Sequence, residues 1–280
     1  MGDRNGPEHA NKNELTSILI PHFSVCEFLE RKIKAPENLL GELFKIPSLN
    51  MISAGEGVGK THLSMGIQRA ISTGTTILNL EAPLARKTLI IDGEMNGGEL
   101  QRRFADSCKG QPSSDKYTKN SGVITFSDFV DETPDLTEPR WQNELDKVID
   151  TNLYEVLIID NLSSCLGGKD LATDVKEVIT FINWCKHLRN NKNLAVFLIN
   201  HNTKGSKTYM GVPQLTLFNN TNIGLTKNKS DQVELVVQKC RHKQLVNRKL
   251  TYSMEISSGF GTKFKVELDE INTERTYSPY

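Results

Sequence analysis

No run of apolar residues in this 280-residue chain is long enough to span a bilayer, so no helical membrane anchor is expected. The stretch from Met1 to Glu14 is polar and has no apolar core of the kind a secretory signal needs. Cysteine is sparse. Cys26, Cys108, Cys165, Cys185 and Cys240 are scattered, odd in number and without CxxC or Cys/His ligand spacing, which argues against a disulfide framework or a zinc site. Reduced, mostly buried thiols and a cytoplasmic location are the expectation. The triplet Asn219-Asn220-Thr221 matches the glycosylation pattern but has no consequence without a secretion route. Neither sign of charge dominates, since 34 basic residues balance 34 acidic ones. Global charge therefore does not call for a nucleic acid partner, although a ring can concentrate basic loops on one surface. Internal repeats and low-complexity tracts are also missing, and the length suits one large α/β domain.

Against these absences stands Ala54-Gly55-Glu56-Gly57-Val58-Gly59-Lys60-Thr61. An apolar run, Leu49–Ser53, precedes it, and a segment with Leu63, Ile67, Ala70 and Ile71 at helical spacing follows. Strand, glycine-rich turn and helix form the context of a phosphate-binding loop. Small residues let the backbone wrap a polyphosphate with its N–H groups pointing inward, and the helix N-terminus adds partial positive charge. Residues 55 to 62 (Gly55, Glu56, Gly57, Val58, Gly59, Lys60, Thr61, His62) are the expected nucleotide contacts. Lys60 would reach the β- and γ-phosphates, and the Thr61 hydroxyl would hold Mg²⁺. ATP and Mg²⁺ are the expected ligands. A glycine-rich turn that binds nothing is the competing reading.

Further apolar runs of strand length are Thr88–Asp92, Glu155–Asp160, Leu194–Asn200 and Val233–Gln238, with Val123–Phe126 as a sixth strand. Helical patterns lie between them, at Trp141, Leu145, Val148 and Ile149 and at Val175, Val178, Ile179, Ile182 and Cys185. This alternation predicts an α/β fold with a mainly parallel central sheet covered by helices on both faces. Lys249–Ile256 and Thr262–Leu268 flank Ser257-Ser258-Gly259-Phe260-Gly261 and predict a C-terminal antiparallel hairpin. The expected layout is a disordered tail over 1–14, a helical leader over 15–48, a core over 49–241, a hairpin over 249–268 and a tail over 272–280. Residues 15–271 make a single domain in this reading.

Strand ends supply candidate chemistry. Asp160 closes the run Val156–Asp160 and would hold the Mg²⁺ shell through water, opposite Thr61. Glu94, just past Asp92, is the candidate general base, with Asp92 as competitor. His201 after Leu194–Asn200 is the candidate γ-phosphate sensor, with Asn200 close behind. Lys239 and Arg241, two cations spaced i, i+2, would either neutralise a neighbouring subunit's γ-phosphate or form a solvated basic cluster.

Together these motifs resemble the RecA-like ATPases, most closely the hexameric RepA-type replicative helicases of plasmids and phages. The resemblance spans residues 40 to 268 in motif order: the phosphate loop, Asp92-Gly93-Glu94-Met95, Leu157-Ile158-Ile159-Asp160-Asn161, Asn200-His201-Asn202-Thr203-Lys204-Gly205 and Lys239-Cys240-Arg241. It implies a RecA-like fold and a homo-oligomeric ring, a hexamer, with ATP between subunits. It implies a helicase or translocase acting on single-stranded DNA, or else a recombinase-like or loader ATPase that does not unwind. A nucleotide-gated interaction protein is the reading from a different class. Channel loops at Ser163–Asp174 and Asn202–Pro213 would offer Lys169, Lys204, Lys207 and Tyr209 to the strand. Arg103, or its neighbour Arg102, would cover the adenine.

Overall fold

The structure is a computed structural model that describes residues 20–108, 114–202, 211, 213–241, 243–257 and 261–271. It divides into two units, Met1–Ala35 and Pro36–Tyr280. The first carries α1 (Val25–Glu30), opened by a capping box in which Ser24 Oγ accepts the Glu27 N–H and the Glu27 carboxylate accepts the Ser24 N–H.

The second unit begins with an antiparallel pair, β1 (Glu37–Leu40) and β2 (Phe44–Ile46), then β3 (Ser48–Ala54) and α2 (Lys60–Thr73). A short pair, β4 (Thr76–Ile77) and β5 (Leu80–Glu81), leads into β6 (Thr88–Asp92). There follow α3 (Gly97–Cys108), α4 (Ser114–Asn120), β7 (Ser121–Thr125), α5 (Pro139–Asn152), β8 (Val156–Asp160), α6 (Leu162–Cys165), α7 (Val175–Asn191) and β9 (Ala195–His201). The described part closes with α8 (Gln214–Leu217), β10 (Thr221–Lys227), β11 (Val233–Cys240), β12 (Lys249–Ser257) and β13 (Gly261–Asp269).

A continuous helical leader over 15–48 is not found. Only Val25–Glu30 is helical among the described residues there, and 37–46 form the β1–β2 pair. The apolar spacing that suggested a helix serves a hairpin instead, because Leu39, Leu40 and Phe44 all drop into the core.

Nine strands form one sheet in the order β13-β12-β11-β10-β3-β9-β8-β6-β7. From β10 to β7 every neighbour pair is parallel, and from β10 to β13 every pair is antiparallel. The mainly parallel sheet and the C-terminal hairpin are as expected. Two points differ from the sequence reading. β10 has only Ile223 and Leu225 as large apolar residues, too few to stand out as a run. β11, expected among the parallel strands, runs antiparallel to β10.

Both faces of the sheet are covered. Along β8, Val156 and Ile158 join one core with α2, whereas Leu157 and Ile159 join the other with α5 and α7. The same period-2 alternation splits Phe197 from Val196 and Leu198 on β9. Strands buried on both sides are rich in apolar residues, which is why these runs were visible in the sequence.

Register then lines up the chemistry. Ala54 sits opposite His201, and Asp92 opposite Asp160, all at the C-terminal edge of the parallel strands. This edge is where open α/β sheets present ligand sites.

Candidate functional site

The phosphate-loop candidate leaves β3 at Ala54 and turns into α2 through two glycines with positive φ, Gly57 at 68° and Gly59 at 100°. Gly59 is the N-cap of α2, and a Cβ there would also collide with Met254 of β12, at 2.3 Å from its methyl carbon. The positive φ is what calls for glycine here, since the flexible Met254 side chain can move aside. At Gly57 a Cβ would meet nothing within 4 Å, so the loop is open on that side.

Lys60, the first residue of α2, is buried. Its Nζ donates to Ala54 O at 3.2 Å and Gly55 O at 2.8 Å, and lies 3.2 Å from His201 Nδ1. Burial lowers its pKa, while Asp160, Glu94 and Glu56 counter that shift. The ammonium thus rests on the loop's own carbonyls, in a cradle of backbone, where an anion would be the stronger partner.

Asp160 ends β8 and is buried; its Oδ2 accepts the Ser64 hydroxyl at 2.9 Å. Burial pushes its pKa up to about 6 against the pull of the Ser64 hydroxyl, with Asp92 raising it further. A buried carboxylate facing other carboxylates is a place where a cation is favourable. Ser64, which also bonds Thr61 O, lies one turn past Lys60 on the same face of α2.

Asp92 and Glu94 divide their work. Asp92 Oδ1 accepts the backbone N–H groups of Glu94 and Met95, at 3.1 and 2.7 Å, and so shapes the turn after β6. Its pKa is raised chiefly by burial. Glu94 is exposed, and its carboxylate accepts from Asn161 Nδ2. The side chain left to face a ligand is Glu94.

His201, at the end of β9, lies 3.2 Å from Lys60 through Nδ1 and 3.1 Å from Asn161 Nδ2 through Nε2. Burial and the Lys60 charge lower its pKa, so the ring is held neutral. Asn200 points its Oδ1 at the His201 N–H, 2.8 Å away, and is fully buried. Between the two candidates, His201 is the one in contact with the loop lysine.

Around the helix N-terminus, His62 Nδ1 is 2.7 Å from Thr262 Oγ1 of β13. Its pKa is lowered by burial first and by Arg103 second. Arg103 pairs with Glu99 at 2.6 Å and is a quarter exposed, while Arg102 pairs with Asp106 and faces solvent. Arg103, not Arg102, is the arginine near His62.

Other candidates stand apart from this cluster. Cys240 of β11 pairs with Thr221, which pairs with Asn50 near the start of β3. Lys239, level with Met51, and Arg241, one residue beyond Cys240, are therefore displaced toward the opposite edge of the sheet, about 10 Å or more along the strands from Ala54. Lys239 Nζ donates to Thr216 O and Leu217 O at the end of α8. Its pKa is lowered by burial first and by Arg241 second, and the same two causes in the same order lower that of Arg189. No carboxylate among the described residues pairs with Lys239 or Arg241. Lys169 is tethered to the Asp135 carboxylate at 3.8 Å. Lys204, Lys207 and Tyr209 lie outside the described residues.

Sequence reasoning assigned no role to Asn161, Ser64, Met254 or Thr262. Asn161 directly follows the strand-ending aspartate, a position from which it could have been suspected. Met254 and Thr262 arrive from a distant hairpin and carried no local signal.

A family model described as an AAA domain matches residues 17–207. Among solved structures, a RadB recombinase is 15% identical with a TM-score of 0.56, covering 78% of this chain and 91% of that one. A KaiC-like protein from the hyperthermophilic archaeon Pyrococcus horikoshii is 16% identical, again with a TM-score of 0.56, covering 81% and 94%. No curated protein matches significantly. The likenesses are to RecA-like P-loop proteins, and the fold is of that type.

Proposed function

The chain belongs to the AAA domain family, and within it we propose an ATP-hydrolysing, ring-forming motor of the RecA type that acts on single-stranded DNA. One observation carries this reading. Lys60 at the start of α2, Glu94 after β6, Asp160 at the end of β8 and His201 at the end of β9 gather at one edge of the sheet: Lys60 touches His201, Asn161 bridges His201 to Glu94, and the Asp160 and Glu94 charges act on Lys60.

The backbone turned by Gly57 and Gly59, open at Gly57, would cradle phosphates, and Thr61, with Asp160 through water, would offer oxygen of the kind Mg²⁺ takes. Bound there, Mg²⁺ would supply charge neutralisation on the phosphate oxygens. Lys60 would leave its carbonyl partners for the β- and γ-phosphates. Glu94 would accept the proton of a water as that water attacks the γ-phosphorus and the bond to ADP breaks. His201 would donate to the γ-phosphate oxygen and sense its departure. Arg103 and His62, neighbours beside the start of α2, would border the base.

Hydrolysis by shared sites is supported by the placement of Lys239 and Arg241. They lie away from the loop of their own chain, and Arg189, Lys239 and Arg241 gather positive charge without a paired carboxylate among the described residues. An anion on a neighbouring subunit would satisfy them, as trans cations do. The likeness to a RadB recombinase favours a second reading, assembly on DNA without unwinding.

The deciding experiment measures ATPase rate with and without single-stranded DNA, together with solution mass. A multimer with DNA-stimulated turnover is expected. Strand displacement from a forked duplex would select the helicase, and stimulation without displacement the recombinase-like motor. A rate indifferent to nucleic acid, with only background binding, would overturn the DNA assignment.

A further inference from the structure

Between Glu94 and Lys60 runs a chain of polar side chains whose proton inventory does not balance. Asn161 is buried, and every hydrogen-bonding capacity of its amide is engaged. Its Oδ1 accepts the Ser164 backbone N–H at 3.2 Å and the Ser164 hydroxyl at 3.3 Å. A backbone N–H can only donate, so the amide oxygen must face Ser164 and the NH₂ must face the site. That NH₂ donates to Glu94 and points its other proton at His201 Nε2, 3.1 Å away.

On the other side of the ring, Lys60 Nζ stands 3.2 Å from Nδ1. A lysine ammonium, like an amide NH₂, has only protons to offer. A neutral imidazole has one acceptor nitrogen, so it can satisfy one of these neighbours and must direct its own N–H at the other. Lys60 has two backbone carbonyls as alternatives, at 2.8 and 3.2 Å, whereas the second amide proton of Asn161 has no other partner among the described residues. The acceptor is therefore Nε2, and the proton sits on Nδ1, facing the ammonium.

We propose that Asn161 is a positioning residue that fixes His201 as the Nδ1–H tautomer, so that the ring is a phosphate donor before nucleotide arrives, and ties this donor to the Glu94 carboxylate through one amide. The inference rests on the nucleotide-hydrolysing reading of the site and assigns that site its sensing device. Without ligand, the Nδ1–H and the ammonium confront each other with like polarity. An acceptor oxygen entering between them relieves the conflict, since both groups can donate to it. A terminal phosphate provides that oxygen, and a diphosphate, one phosphoryl group shorter, does not. Loss of the phosphate restores the conflict, and the displacement of His201 passes through Asn161 to Glu94.

The test is ¹⁵N NMR of the full chain labelled in histidine, at neutral pH without nucleotide, with His201→Gln used to assign the signal. The expected spectrum shows His201 protonated on Nδ1, and a non-hydrolysable ATP analogue shifts that nitrogen while ADP does not. In Asn161→Ala the ring is expected to revert to Nε2–H, with kcat at least about tenfold lower and ADP affinity unchanged within about twofold. Protonation on Nε2 in the unmodified protein, or an Nδ1–H that persists in Asn161→Ala, would overturn the proposal. The unmodified spectrum decides by itself if the variant does not fold. Because the tautomer is read without turnover, its failure is distinct from a failure to hydrolyse ATP.

Discussion

Lys60 shows how a single side chain can wait for its ligand. A cation removed from water is unfavourable, and here it is tolerated by two loop carbonyls and by the carboxylates around it. Lys60→Ala keeps the helix but takes away the phosphate's cation, and turnover is expected to fall by about a hundredfold or more in a phosphate-release assay. Turnover near that of the parent would sink the assignment. For Glu94→Gln the amide can still face Asn161 but cannot take a proton. Nucleotide binding by fluorescence titration should persist while kcat drops by about 10²–10⁴-fold. Unimpaired hydrolysis would move the base elsewhere; Asp92 is a poor substitute, since its carboxylate already holds two backbone N–H groups.

At the scale of elements, the site is a by-product of strands that stop together. β6 and β8 carry apolar runs that end in Asp92 and Asp160, β9 ends in Asn200 and His201, and β3 runs into the glycine-rich loop, so register brings those ends into reach. The precision of that edge depends on the helices behind it. Phe181 of α7 is fully buried, with its ring 5.9 Å from that of Trp184, in the core shared with β8 and β9. Phe181→Ala is expected to cost about 3–5 kcal/mol, read as a lowered urea midpoint at unchanged slope. Arg86 has a different job, joining Glu37 of β1 at 2.7 Å to Glu155, just before β8, at 2.5 Å. Both carboxylates are more than a third exposed, so Arg86→Ala should cost less, about 1–2 kcal/mol by the same measurement.

For the whole molecule, the antiparallel turn of β11 places Lys239 and Arg241 away from their own phosphate loop, toward the opposite edge of the sheet. Mixing tests whether they serve a neighbour. Arg241→Ala retains a working loop, and Lys60→Ala retains working cations, so a mixture of two inactive variants should regain ATPase activity at the interfaces that join them. Activity no greater than that of either variant alone, at every mixing ratio, would mean that sites are not shared. Much of this architecture was legible in the chain itself. Strands buried on both faces are rich in apolar residues, and a loop that wraps phosphate needs glycine where φ is positive, so both constraints are written locally at Leu49–Lys60, Thr88–Asp92 and Val156–Asp160. The β1–β2 pair was misread as helix because four or five apolar residues fit either period until a core claims them. The direction of β11, the Met254 methyl against Gly59 and the role of Asn161 were decided only by tertiary structure. The Met254 and Asn161 contacts join atoms more than 30 residues apart in sequence, and β11 takes its direction from its pairing with β10, a strand without an apolar run of its own; hydrogen-bond direction and close packing have no local signature.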